Sequence, residues 1–297
     1  MTNRGVSGVM TQSFDEAIAA LSPWVGRTRV VEDEIGVSAV RRIAAMLDLD
    51  PMSFRAGTVL PVHWFSMFFA DIARQSDIGP DGHPDKGVFL PPIPLARRMG
   101  AGRRVSISGR LVAAQPARKS AEVAAIVPKH GRTGPICILT MRHTMETGGG
   151  VVAVDEFDAI YREAVPAGSK SAATPPKPAP GGAAWSDQVT FTAPLVFRYS
   201  AVTWNAHRIH YDADYARDEE GYPHTVQNGG LTMQLLVDAA LRRAPGDLTG
   251  FTTRLTRPIY VGDTVWLCGG EVNGGRMQCW VADRDGHLCA EMEARFD

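Results

Sequence analysis

Neither sign of charge dominates this chain. Across 297 residues, 31 Lys and Arg stand against 32 Asp and Glu, a formal net charge of −1. A chain so balanced lacks the broad attraction that nucleic acid or an anionic membrane surface requires, although local basic clusters can still hold a small anion. Cysteine is scarce as well. Cys137, Cys268, Cys279 and Cys289 are scattered without CxxC spacing. That pattern argues against a disulfide scaffold and against structural zinc, and it suits free thiols in a reducing compartment. Long apolar runs are missing too. No stretch approaches the roughly 18 apolar residues of a membrane span. The opening MTNRGVSGVMTQSFDEA has no apolar signal core. The expectation is a cytoplasmic protein without nucleic-acid or membrane partners.

What is present suits a globular protein. Hydrophobic residues make up 44% and charged residues 21%, and the length accommodates two domains of roughly 100–150 residues. The stretch PAGSKSAATPPKPAPGGAAW is rich in Pro, Gly, Ala and Ser and has no apolar period. It reads as a partly stiff surface linker. The expected division is therefore 1–165, a linker at 166–186, and 187–297.

The two parts follow one program. In the second, DQVTFTAPLVFRYSAV reads as an extended entry. GGLTMQLLVDAALRR, 229–243, aligns Leu231, Leu235, Leu236, Ala239 and Ala240 on a helical face. Strand-like runs then follow at GFTTRLTRPIYV, at TVWLCGGEVNGGRMQCWVA with a turn at Asn273-Gly274-Gly275, and at LCAEMEARF. In the first part, SAVRRIAAMLDLDP predicts a helix ending at Pro51, and PVHWFSMFFADIA, 61–73, a strongly apolar helix with Pro61 in its first turn. A long loop carrying Arg97, Arg98, Arg103 and Arg104 leads into strands at VSISGRLVAA, SAEVAAIVP, PICILTMRHTM and VVAVDEFDAIY. Helix followed by a strand meander, twice, implies a diverged internal duplication; one large α+β domain is the competing reading.

The chemistry concentrates in VTWNAHRIHYDAD, residues 202–214, where Asn205, His207, Arg208, His210, Asp212 and Asp214 crowd together. His207 and His210 could share a metal on spacing alone, but no third ligand at suitable spacing accompanies them. Just downstream, Asn228 precedes the glycines that open the 229–243 helix.

These residues carry a resemblance. FRYSAVTWNAHRIHYDADYARDEEGYPHTVQNGGLT, with GPDGHPDKGVFLPPIPLARRMGAGRR in the first part and RPIYVGDTV at 257–265, resembles the MaoC-like hydratase/dehydratase superfamily. The branch is that of two-hotdog thioester dehydratases, which includes mesaconyl-CoA and itaconyl-CoA hydratases and mitochondrial 3-hydroxyacyl-thioester dehydratases. The resemblance covers most of residues 20–297. It implies an α+β double hotdog: two long helices, each wrapped by an antiparallel sheet, with the sheets side by side.

Against the superfamily's D-x-N-P-x-H motif, His210 takes the histidine. Asn205 then stands where the aspartate is usual, His207 at the asparagine and Arg208 at the proline. In the first copy, DLDPMS places Asp48 and Asp50 at the Asp and Asn positions and Ser53 at the histidine. The implication is one active site per chain, in the second copy, with the first supplying part of a thioester tunnel.

The implied reaction adds water to a 2-enoyl thioester, or removes it from a 3-hydroxyacyl one. His210 is the expected proton carrier, since an imidazole exchanges protons near neutrality. Asn205 would hold the water, with His207 or Asp212 sharing proton transfer. Gly229 and Gly230 would offer backbone N–H groups to the thioester oxygen, with Asn228 beside them where the family often has histidine. Trp204 is the expected acyl contact. Arg208 would meet a substrate carboxylate or brace Asp212. Arg97 and Arg98 would meet the phosphates of coenzyme A or of a carrier's phosphopantetheine, or form a solvated basic turn. Trp64, Phe65, Phe68 and Phe69 read as core. The expected substrate is a short acyl-CoA, and a dicarboxylic acyl group would suit Arg208; no cofactor and no metal are expected, and a homodimer is. Three alternatives stay open: a carrier-protein dehydratase, a hotdog thioesterase and a non-catalytic acyl-CoA-binding protein.

Overall fold

The computed structural model describes residues 13–131, 134–164 and 175–297. A short helix α1 (Phe14–Ala19) precedes β1 (Thr28–Asp33), α2 (Val37–Met46), β2 (Arg97–Ile107), β3 (Ala117–Gly131), β4 (Gly134–Thr147) and β5 (Gly150–Arg162). The second part runs β6 (Trp185–Thr190), α3 (Ala193–Val202), α4 (Ala213–Asp218), α5 (Gly229–Leu241), β7 (Leu248–Leu255), β8 (Thr264–Gly269), β9 (Arg276–Ala282) and β10 (Leu288–Phe296).

All strands join one sheet of ten in the order β1-β3-β4-β5-β2-β7-β10-β9-β8-β6. Within each half the spatial order, from the outer edge inward, is first, third, fourth, fifth, second strand. The two second strands meet antiparallel at the centre, Arg103 opposite Thr253 and Val105 opposite Phe251. Such mirrored connectivity is what an internal duplication produces, and it gives the α+β double-hotdog architecture.

The halves differ in what covers their inner faces. α5 is apolar nearly all round, with Leu231, Leu236, Val237, Ala239 and Ala240 buried against the second half's strands. Burying one such leucine contributes roughly 1.5–3 kcal/mol. Its counterpart in the first half is missing. The helix expected over 61–73 is only a 3-10 turn, Trp64–Met67. Trp64, Phe65, Met67, Phe68 and Phe69 are all buried, as expected of core residues. Phe69 leaves helical geometry at φ 60°, its N–H donating to Asp33 Oδ2 and its carbonyl accepting from Lys119 Nζ.

Three other expectations change. FTAPLVFRYSAV is not extended: Thr192 caps α3, accepting from Leu195 N, and Pro194 occupies its first turn, where a missing N–H costs nothing. α2 ends at Met46, well before Pro51, because Asp48 turns left-handed at φ 57°. Arg97 to Arg104 lie in strand β2, not in a basic loop, while VSISGRLVAA leaves the sheet after Ile107. Of the expected linker, residues 166–174 lie outside the described residues. Lys177 to Ala179 run along the 286–288 turn, Leu288 N donating to Lys177 O, and Trp185 already begins β6.

Candidate active site

A cavity of about 1890 Å³ opens between the halves, lined by residues from both. Its floor on the second half is the turn after α3. Trp204 adopts φ 54°, a strained conformation for a bulky side chain, and stands 66% exposed on the rim. Asn205 follows as a linchpin. Its Oδ1 accepts from His207 N at 3.0 Å and its Nδ2 donates to Asn228 Oδ1 at 3.0 Å. The buried Asn228 passes the chain on, its Nδ2 donating to Ser200 Oγ at 2.9 Å. Asn205 thereby ties the histidine turn to the start of α5.

Arg208, Ile209 and His210 form one 3-10 turn. His210 Nδ1 lies 2.7 Å from the Val226 carbonyl. A carbonyl only accepts, so Nδ1 carries the proton and Nε2 keeps its lone pair. Burial pushes the His210 imidazole down to about 4, against a partial restoring effect of that hydrogen bond. It is neutral at pH 7 and equipped to accept a proton. His207 is buried more deeply. Burial first, then the neighbouring His83 and His210, bring it down to about 2. Its ring stands edge-on to His210 at 5.5 Å between centroids.

The third histidine comes from the first half. His83 lies 4.2 Å from His207 between centroids, and its Nδ1 lies 3.0 Å from Asp81 Oδ2. Burial raises the Asp81 carboxyl, but hydrogen bonds from the His83 ring and backbone outweigh it and bring it to about 2. Asp81 is a fixed carboxylate behind an imidazole. The loop that carries the pair is locked onto the turn of the second half. Arg208 N donates to Asp81 O at 2.9 Å and Arg208 Nη1 to Pro80 O at 3.1 Å. Gly82, at φ 90°, packs so closely that a Cβ there would collide with the Ala206 carbonyl.

Sequence reasoning did not single out Asp81 and His83, although they stand in the quoted GPDGHPDKG. Only the pairing of the two halves reveals what they face. Among the described residues no third ligand joins His207 and His210 as a pair, but Asp81, His83 and His207 have ligand atoms within 4.8 Å of one another and could hold a cation between them. His210 is not in that group.

α5 points its first turn at the same cavity. Gly229 and Gly230 are its first two residues, so their N–H groups have no carbonyl one turn back and carry the positive end of the helix dipole. A Cβ on Gly230 would strike the Tyr199 hydroxyl. The glycine lets the Tyr199 hydroxyl lie against the backbone here.

The cationic residues divide. Arg208 is committed to Asp212 at 2.7 Å, and Asp212 caps α4 by accepting from Tyr215 N. Arg208 thus braces Asp212, and it also lines the cavity. Arg97 is buried, 2.6 Å from Glu220, and packs over the Tyr222 ring, which leaves it a brace for the 216–222 segment rather than a contact for phosphate. Arg98 lines the cavity and acts electrostatically on His207. The first-copy residues do not enter the site. Ser53 ends a 3-10 turn, Pro51–Ser53, as His210 ends Arg208–His210, but Asp50 caps that turn and Asp48, not the residue before it, takes the left-handed conformation.

Known proteins share both sequence and fold with this chain. The chain is 38% identical over 237 residues to the mesaconyl-C(4)-CoA hydratase of Chloroflexus aurantiacus, covering 80% of this chain and 84% of that one. It is 31% identical over 99 residues to the mitochondrial hydroxyacyl-thioester dehydratase type 2 of Schizosaccharomyces pombe, 32% of this chain and 33% of that one. Among solved structures, a MaoC-like dehydratase from Phytophthora capsici matches with a TM-score of 0.68 at 14% identity, over 92% and 96% of the two chains. A Mycobacterium tuberculosis protein described as a double hotdog matches at 0.56 and 13% identity, over 94% and 97%. Residues 63–261 match the hydroxyacyl-thioester dehydratase type 2 family, and the chain belongs to that family.

Proposed function

We propose that this protein is a hydratase/dehydratase of short acyl-CoA thioesters, adding water across a 2-enoyl group or removing it from a 3-hydroxyacyl group. One observation carries the reading. A neutral imidazole with its Nδ1 proton fixed on a carbonyl shares a cavity with the unpaired N–H groups of a helix start. Acid–base exchange at carbon and stabilisation of a thioester enolate need those two things.

In the hydration direction, His210 Nε2 takes a proton from water. The water oxygen bonds to C3, and the double-bond electrons move through C2 onto the thioester oxygen. The N–H groups of Gly229 and Gly230 receive that negative charge. Collapse of the enolate takes a proton at C2, from His210 or from His83, whose ring Asp81 orients. Asn205 cannot be the base; it holds the turn and helix start in register. The carboxylate missing at its position has a counterpart in Asp81, on the loop that packs against the same turn.

Binding acyl-CoA follows from the same reading. The relative's name adds that it acts on mesaconyl-C(4)-CoA, and a short dicarboxylic acyl group is the substrate class we propose here. The test is incubation with crotonyl-CoA and mesaconyl-CoA, followed by enoyl-thioester absorbance and by mass. A gain of one water supports the proposal. Release of free acid and CoA would establish hydrolysis instead.

A further inference from the structure

The first sheet carries a charged row where the second carries an apolar one. Register places Arg29, Ala121, His143 and Asp155 side by side across β1, β3, β4 and β5. Lys119 lies one row away, two residues along β3 from Ala121, and Arg103, opposite Phe157, lies one row to the other side. On the second half, the corresponding strands β9 and β10 bury Cys279, Val281, Ala290 and Met292 among the apolar core. The missing helix of the first half explains why charge is tolerated here, since the row faces the cavity. It does not explain why charge is there.

Three cations meet two carboxylates. Arg103 Nη1 is 2.8 Å from Asp155 Oδ2, and Arg29 Nη2 is 2.7 Å from Asp71 Oδ2. Lys119 donates to the neutral Phe69 carbonyl at 2.7 Å. Burial, and next the charge of Arg29, pull the Lys119 amine down to about 8, so it is still charged at pH 7. His143 is lowered by burial and adds no charge of its own there. Among these five groups the sum is one positive charge in excess, partly buried; the Asp33 carboxylate is held apart from Lys119 by the Phe69 peptide, whose N–H it accepts. Arg103 Nε is buried and has no partner among the described residues. An isolated excess charge at such a place is costly unless an anion joins it.

The row also lies beside the reaction centre. Arg103 pairs in register with Thr253, whose hydroxyl contacts Met233 of α5. Arg103 acts electrostatically on the Tyr199 phenol, and that hydroxyl abuts Gly230. We propose that Arg103 and Lys119 form a subsite for a carboxylate carried by the acyl group at the C3 end, so that this enzyme selects acyl-CoAs with a second, free carboxylate. The proposal rests on the reading that the cavity holds an acyl thioester.

Succinyl-CoA and butyryl-CoA test it, since neither can be hydrated and they differ in a carboxylate for a methyl group. Binding is measured by titration calorimetry to the wild type, to Lys119→Met and to the double variant Arg103→Met with Asp155→Asn. The double variant removes a buried pair together and leaves no charge stranded. The wild type should bind succinyl-CoA roughly tenfold or more tightly, about the value of one charge-assisted contact pair. Both variants should lose that preference while keeping butyryl-CoA affinity within a few fold. No preference in the wild type, or equal loss for both ligands, would overturn the subsite. Failure to hydrate mesaconyl-CoA while succinyl-CoA still binds preferentially would count against the hydratase reading alone.

Discussion

His210 is a base because of where its two nitrogens stand. The Val226 carbonyl takes the Nδ1 proton, and burial keeps the ring neutral. With an imidazole brought down to about 4 from 6.5, the acid limb of kcat/KM should lie near pH 4 to 5. A limb at 6.5 or above in a kcat/KM–pH profile would contradict this. The sign for stability follows. Between about 4 and 6.5 the unfolded chain binds the proton that the folded chain refuses, so stability falls as pH drops through that window. Urea midpoints at pH 7 and pH 5 check it. His83 and Asp81 give a second prediction. His83→Ala should lower kcat by about 10²-fold or more, and Asp81→Asn by less, since it leaves the ring in place but loosens its orientation. Unchanged kcat in both, from initial rates on crotonyl-CoA, would remove them from the chemistry. Much at this scale was legible in one stretch of sequence. Asn205, His207, His210, Asn228 and the glycines are brought together in the turn and helix start. The roles of Arg208 and Asp212 were not legible, because either a substrate or each other could have satisfied their charges.

Elements position those residues, and two of them read wrongly from the sequence. The apolar run 61–73 resembles a helix by composition, yet only Trp64–Met67 turns, as a 3-10 segment, and Phe69 then leaves helical geometry at φ 60°. The α3 segment resembles a strand, yet Thr192 and Pro194 begin a helix. In both, periodicity was short and end signals decided. The 79–84 loop matters most at this scale, because its Gly82 lets one half's turn lie against the other's. Gly82→Ala should cost about 1–3 kcal/mol through the left-handed strain and the clash with the Ala206 carbonyl. It should also lower kcat by moving His83. A thermal midpoint and kcat measured together check this, and a destabilised enzyme with full kcat would separate the loop from the site.

At the scale of the whole molecule, the duplication was legible as a repeated order of helix and strands. Its consequence was not. The two halves pair through β2 and β7 into one sheet, and the loss of one covering helix makes the cavity. Each half supplies a histidine to it. Residues 175–297 alone would expose the β7 edge and lack His83, an invitation to aggregation. Expressed by itself, this half should show no hydratase turnover, and addition of the first half should be needed to restore it. Full activity in the isolated half would contradict a shared site. No helix among the described residues is long and apolar enough to cross a membrane.

The central claim is that His210 moves the proton while the rest of the cavity binds the thioester. The most direct measurement is His210→Ala, with crotonyl-CoA turnover and butyryl-CoA affinity determined on the same preparation. The account predicts a fall in kcat of about 10²–10⁴-fold with affinity changed only a few fold. Turnover near that of the wild type, or a loss of affinity that matches the loss of rate, would contradict it.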